Sequence, residues 1–314
     1  MTFLAIFLAY AVLFVNGWTD APNSIATAVS SGAINYKKAT YLCGAFNFSG
    51  AIFGYLTNLS IAKFVFNLTD FGKHTVVGAS IVFLTMTLYG IITYFAGLPS
   101  SESHAMLCGI VGVGFAITKS LNNAKKVGDV FVFMVFSCFL AFILGYIIRR
   151  ILRWNLPYKR LQILSCSLTS YMHGYQSGLK FIGIILFLFG ISAHKENIPF
   201  FIPLSVSLVL GLGALMGGKR IIHSMGDNLT KIDDRVSFSS DIGTYFSLVI
   251  CSILGMPVST GNIKCLAIMG ASYGNNEKIN KKTATRLIIS FVAVFPICFL
   301  ISYFLMSLFL YFKA

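Results

Sequence analysis

Asp20 stands where a carboxylate is expensive. The stretch Asn16-Gly17-Trp18-Thr19-Asp20-Ala21-Pro22-Asn23 places an acid, two amides and a Gly/Pro break inside an apolar segment. A carboxylate in hydrocarbon costs at least ~2.5–3.5 kcal/mol on insertion scales, so it persists where it has a partner, an ion or a water-filled cavity. Pro22 removes a helix hydrogen bond, and Gly17 loosens the backbone beside it. Asp20 and Asn23 are oxygen ligands at i and i+3, on one face if the helix resumes there. They suit a small hard cation such as Na+. The alternative is that a neighbouring helix end satisfies Asp20.

A second set of polar residues offers the opposite chemistry. Ser101 and Ser103 follow Pro99, and Ser259 and Thr260 follow Pro257. Proline pre-organises the first helical turn, and hydroxyls cap it. Each segment then points a helix N-terminus, with free N–H groups, into the membrane. Two such ends converging make an oxyanion site. The plainer alternative is that these hydroxyls bond back to their own helices.

Each motif has a counterpart half a chain further on. Asn16–Asn23 aligns with His173–Lys180, and Gly97–His104 aligns with Gly255–Asn262. Subtracting 16 from 173 gives 157, and subtracting 97 from 255 gives 158. Two matches at nearly one offset in 314 residues argue for an internal duplication, 1–155 and 156–314.

The elements that must carry these residues follow from the apolar runs. The first half reads as a helix broken between Val15 and Ser24, spans at Ala39–Leu59, His74–Gly97 and Val130–Ile148, and a Gly-rich re-entrant arm at Leu98–Thr118. The second reads as a helix over Leu161–Gly190 broken at His173–Gly178, spans at Ile198–Met216, Val236–Leu254 and Leu287–Phe312, and an arm at Gly255–Gly274. Gly217–Arg235 reads as an interfacial helix. Five membrane segments per half, an odd number, invert the second half relative to the first. The expectation is an all-α polytopic membrane protein of two inverted-topology repeats, with broken helices and re-entrant half-helices.

Composition supports this and excludes much else. The chain is 56% hydrophobic and 11% charged, against about 25% charged in a soluble domain. Its net charge of +14 lies in short loops between spans. That is the pattern of positive-inside topology, not a nucleic-acid face. With the Arg149–Arg160 loop inside, inverted topology gathers fifteen basic residues inside and seven outside. Both termini are then outside, in a plasma membrane. No cleavable signal peptide is expected. The seven cysteines lack CxxC spacing and read as small hydrophobes. No cofactor is implied beyond a coupling ion. A dianion crossing ~100 mV, inside negative, pays ~2.3 kcal/mol per charge. Symport with Na+ or H+ removes that penalty.

Taken together, NGWTDAPNSIATAVSSGAI, GLPSSESHAMLCGIVGVG, MHGYQSGLKFIGI, GGKRIIHSMGDNLTKI and GMPVSTGNIKCLAIMGAS resemble the inorganic phosphate transporter (PiT) family across nearly the whole chain. The resemblance implies an inverted-repeat fold and import of phosphate with Na+ or H+. It also implies the lipid bilayer as surroundings and a homodimer. It makes Asp20 and Asn23 cation ligands, and Ser101, Ser103, Ser259 and Thr260 phosphate ligands. The departures mark the rest of the candidate site. Thr19 stands where the family has Asn, and Gln176-Ser177 where it has Asn/Gln-Asp. Glu102 replaces a Thr in the first tip, and Gly261-Asn262 replaces Thr-His in the second. Lys180 falls opposite Asn23, to replace a bound cation, to help hold the anion, or to snorkel to the interface. Thr19, Gln176, Ser177 and Lys180 therefore join the substrate set. Burial disfavours the charged form of Glu102 and makes it, with His104, a proton-coupling candidate. His173 lies in the matching motif, and Asp241 is a third intramembrane acid.

Three rivals stand beside phosphate import. Another oxyanion, chiefly sulfate, fits hydroxyl and N–H tips, but an acid contacting the anion favours phosphate, which keeps a proton. A degenerate, non-transporting paralogue fits the loss of the second acid. A membrane phosphatase using Glu102, Ser103 and His104 leaves the duplicated cation motif without a task.

Overall fold

The computed structural model describes residues 2–68, 71–120, 124–152, 156–191 and 193–313. Thirteen α-helices are found among them. The first half holds α1 (Thr2–Thr19), a 3₁₀ turn at Ala21–Ser24, α2 (Ala26–Ser30), α3 (Tyr36–Thr57), α4 (Ser60–Leu68), α5 (Thr75–Phe95), α6 (Glu102–Thr118) and α7 (Ala124–Ile151). The second holds α8 (Tyr158–Leu188), α9 (Phe201–Leu215), α10 (Lys219–Ile222) with a π turn at His223–Asp227, α11 (Asp234–Ile253), α12 (Thr260–Gly274) and α13 (Lys281–Lys313).

The order of elements repeats, and so does the packing. α1 packs on α5 as α8 packs on α11, α6 on α13 as α12 on α7, and α9 on α1 as α3 on α8. The small residues that allow this recur too. A Cβ on Gly112 of α6 would lie 2.5 Å from the Phe299 carbonyl oxygen of α13, and one on Gly270 of α12 2.0 Å from that of Phe142 in α7. Helices approach this closely in a membrane where one of them lacks a side chain.

Among the described residues, five helical stretches are long and apolar enough to cross a membrane: Thr2–Ser24, Gly72–Phe95, Val127–Ile151, Asp234–Ile253 and Lys281–Lys313. Two further spans bend sharply, by 86° between α3 and α4 and by 65° after α9. Asn58 makes the first bend, its side chain accepting the Ser60 N–H at 2.8 Å to start α4. Large apolar side chains on α7 and α13, such as Phe139, Val292, Leu300 and Phe304, remain exposed and form lipid-facing surface.

Two expectations need correction. α8 is one continuous helix, not broken at His173–Gly178. Only the first half has a proline at the critical position, since Pro22 corresponds to Leu179. Gly174 and Gly178 serve close packing instead: their Cβ atoms would meet the Asn47 carbonyl oxygen at 2.1 Å and Ala51 Cβ at 2.5 Å. The segment Gly217–Arg235 is not one interfacial helix either. It forms α10 and the π turn, and Asp233 then caps α11 by accepting the N–H groups of Arg235 and Val236.

α8 carries the polar residues of the second half. Gln162, Ser165, Thr169, Ser170, His173, Gln176, Ser177 and Lys180 recur at helical spacing, and all are buried. A helix with such a stripe cannot face lipid, so the other helices enclose it.

Candidate binding centre at the two half-helices

The two tips are built alike. α5 ends in a left-handed glycine, Gly97, whose N–H donates to the Tyr94 carbonyl at 2.9 Å, while the Leu98 N–H donates to the Thr93 carbonyl at 2.9 Å. α11 ends in left-handed Gly255, whose N–H donates to the Ser252 carbonyl at 3.0 Å, while the Met256 N–H donates to the Cys251 carbonyl at 3.0 Å. Both are glycine-terminated Schellman ends. Pro99 and Pro257 then keep the chain from continuing the helix and aim it at the start of α6 and of α12.

The helix starts meet inside the protein. Ser103 Oγ donates to the Val258 carbonyl at 2.8 Å. Lys180 Nζ, reaching in from α8, donates to Ser103 Oγ at 2.6 Å and to the Val258 carbonyl at 3.3 Å. Asn262 Nδ2 lies 3.2 Å from His104 Nδ1, which also pairs with Ser101 Oγ. Ser259 caps α12, its Oγ accepting the Asn262 N–H at 3.4 Å. Ser101 gives α6 no such cap, so among the described residues this buried N-terminus keeps free N–H groups.

The broken first helix brings the acid to this junction. Asp20 Oδ1 accepts from Asn23 Nδ2 at 2.7 Å, and Oδ2 accepts from Thr260 Oγ1 at 3.0 Å. His173 Nε2 lies 3.4 Å from Asp20 Oδ2, and its Nδ1 is 2.5 Å from Asn47 Oδ1. Ser177 Oγ is 3.5 Å from His173 Nε2. Thr19 Oγ1 donates to the Val15 carbonyl at 2.8 Å and lies 3.1 Å from Ser100 Oγ in the first tip. Gln176 Nε2 donates to Ser252 Oγ at 2.8 Å and reaches the Met256 carbonyl, beside the second tip, at 3.5 Å.

Lys180 does not snorkel to the interface. It is 3% exposed and joins the two tips. Glu102 is buried without a hydrogen-bond partner for either carboxylate oxygen among the described residues. It turns toward α5, where a Cβ on Gly90 would lie 2.7 Å from its Oε1. The other candidates are joined by the contacts above. Asn16, Asn47, Ser100, His173 and Asn262 complete the centre; Asn16 and His173 stand in the two aligned motifs and Asn262 in the second tip, while sequence spacing gives Asn47 and Ser100 no role. Asn47 has one visible signal, an amide inside an apolar helix.

The centre is closed and incomplete in its bonding. Asn16 Oδ1 and Nδ2, Asn23 Oδ1, Gln176 Oε1, Asn262 Oδ1 and both Glu102 oxygens are buried and lack hydrogen-bond partners among the described residues. Buried polar groups are nearly always paired, so such a concentration marks a place for ions or water. Oxygens around Asp20 suit a cation; free N–H groups, hydroxyls and an ammonium at the tips suit an anion. No group of three or more His, Cys, Asp or Glu residues arranged for a metal ion occurs among the described residues.

Half-helices meeting an acid-bearing break at a buried polar centre define the class: helical membrane proteins built like secondary transporters. The profile of the phosphate transporter family matches the chain twice, over residues 16–157 and 153–302. A probable low-affinity inorganic phosphate transporter of Bacillus subtilis is 30% identical over 95% of this chain and 93% of its own. One of Rhizobium meliloti is 30% identical over 92% and 90%. A solved structure described as the sodium-dependent phosphate transporter superposes with a TM-score of 0.85 at 18% identity, covering 98% of each chain. The chain belongs to the phosphate transporter family, as the sequence resemblance implies.

Proposed function

We propose that the protein is a secondary transporter that imports inorganic phosphate by symport with a cation, through alternating access about the buried centre. The carrying observation is the cluster of partnerless oxygens beside Asp20, next to the uncapped start of α6. Asp20, Asn23 and Thr260 bind Na+, with the free oxygens of Asn16, Gln176 or Asn262 completing its shell. Ser101, Ser103, Ser259, Thr260 and Lys180 hold phosphate, and Thr19, Gln176 and Ser177 line it. The sodium dependence named for the superposed transporter supports Na+. Proton coupling is the second reading, favoured by the partnerless Glu102 with His104 two residues on.

Phosphate is preferred over sulfate on protonation. Two acids, Asp20 and Glu102, lie in the centre, and an acid accepts a hydrogen bond from phosphate but repels fully ionised sulfate. The two units are 1–155 and 156–314, inverted in a plasma membrane with both termini outside and the basic loops inside. Binding of radiolabelled phosphate to the purified protein tests this reading. Saturable binding that needs Na+ and resists excess sulfate is expected. Sulfate competing equally with phosphate would contradict it.

A further inference from the structure

Asp241 and Lys264 take no part in the centre above, yet both are fully buried. Lys264 Nζ pairs with Asp241 Oδ1. Hydroxyls ring the pair. Thr27 Oγ1 donates to Asp241 Oδ1 at 2.8 Å and accepts from Lys264 Nζ at 3.0 Å. Ser165 Oγ donates to Asp241 Oδ2 at 2.7 Å, and Thr169 Oγ1 to the Asp241 carbonyl at 3.3 Å. Four elements, α2, α8, α11 and α12, meet there. A buried ion pair adds little net stability over apolar residues of the same size. Packing alone therefore gives no reason for it.

Its surroundings give one. Toward the centre, Ser24 Oγ, next to Asn23, lies 2.7 Å from Ser170 Oγ, and Ser170 precedes His173 by one turn. In the other direction Gln162 Nε2 donates to Asp234 Oδ1 at 2.8 Å, and Ser31 Oγ donates to Gln162 Oε1. Ser31 and Asp234 are only half-buried. Ser237, one turn before Asp241, has a buried hydroxyl with no hydrogen-bond partner among the described residues. A file of polar groups thus runs from Asp20 to the face that carries Lys37, Lys38, Lys231 and Arg235. The positions related by the repeat are apolar. The offsets of 157 and 158 place Leu8, Phe83 and Met106 where the second half has Ser165, Asp241 and Lys264, and Ile184 where the first has Thr27. All four lie in the apolar core or pack against it.

We propose that Asp241 and Lys264 form the gate of a polar route between the Asp20 centre and that basic face. The proposal rests on reading the centre as a transport site. Lys264 rides on α12, whose start supplies Ser259 and Thr260. A movement of α12 that releases ligand on this face draws the ammonium away from Asp241. Asp241, Thr27 and Ser165 then remain as a wall that water and ions can pass. Apolar residues would keep the same passage dry, as they do in the other half.

The test compares the intact protein in proteoliposomes with K264M/D241L, which strands neither charge. The double variant is expected to fold, to keep its thermal stabilisation by phosphate and its KM, and to lose about tenfold in maximal uptake rate. The swap K264D/D241K is expected to recover to within about threefold of the unaltered protein. A second measurement needs no change to the pair: modification of S165C by a charged thiol reagent from the basic face, read by site-resolved mass spectrometry, should quicken during turnover. A double variant with unaltered maximal rate, a loss of phosphate stabilisation in it, or an S165C rate indifferent to turnover each overturns the gate. Absence of uptake by the unaltered protein would instead sink the transport reading itself.

Discussion

At the scale of single residues, the centre works by division of labour. Asp20 is held by three side chains from three elements, Asn23, Thr260 and His173. Its charge is thereby fixed where the first helix breaks. Replacing it with Asn keeps the shape and removes the charge. Hydrogen bonds to charged groups are worth about 1.5–3 kcal/mol, so Asp20→Asn should weaken Na+ dependence by about 10–100-fold in the half-saturating concentration. Na+-titrated phosphate binding measures this; an unchanged Na+ curve would remove Asp20 from the cation site. Ser103 carries less, since a neutral hydrogen bond nets about 0.5–1.5 kcal/mol. Ser103→Ala should therefore raise the phosphate dissociation constant only about 2–10-fold. Lys180→Met should cost more, because the ammonium bonds both Ser103 and the opposite tip. Equal effects of the two substitutions would argue that Lys180 only packs.

At the scale of elements, the asymmetry between α1 and α8 is half legible in the sequence. Asp20 and Pro22 announce the first break correctly, because each carries a local penalty that only a break relieves. The expected second break rests on alignment alone, and α8 is continuous since Leu179 demands nothing. The tips are fully legible, because glycine, proline and hydroxyls in that order have few conformations. The ends of α3 and α9 are legible too, since the expected spans stop at Leu59 and Met216 and left-handed Gly217 and Gly218 follow the second; α4, which turns away at Asn58, is not. Nor do Asn47, Ser100 and Lys264 declare their roles, because their partners lie on helices distant in sequence. Two predictions belong to this scale. Pro22→Leu, which copies α8, should let α1 continue and abolish transport while the protein stays folded, as circular dichroism and uptake would together report; full activity would mean that the break is not used. Gly270→Val should lower thermal stability, since overpacking costs about 1–3 kcal/mol and a Cβ there would lie 2.0 Å from the Phe142 carbonyl oxygen. An unchanged melting temperature would show that α7 and α12 are not so closely packed.

At the scale of the whole molecule, the duplication makes two similar halves, and the differences between them carry the direction. Both halves supply a tip and both supply a helix to the centre, but only the first retains an acid at the break. The route on the basic face is lined with polar residues, whereas the equivalent positions of the other half are apolar core. The fold is readable because hydrophobicity and the repeat offset each constrain it independently. The proposed orientation, with both termini outside, rests on the positive-inside rule. A tag fused after Ala314 should be reached by an impermeant reagent on intact cells, and protection of that tag would reverse the orientation.

The central claim is phosphate import driven by a cation bound beside Asp20. Its most direct test is uptake of radiolabelled phosphate by proteoliposomes under an inward Na+ gradient or an inward H+ gradient, with excess sulfate present. The account predicts concentrative uptake that needs the Na+ gradient, ignores sulfate and, in Asp20→Asn, requires about 10–100-fold more Na+. Uptake that proceeds without either gradient, or whose Na+ dependence is unchanged in Asp20→Asn, would contradict it.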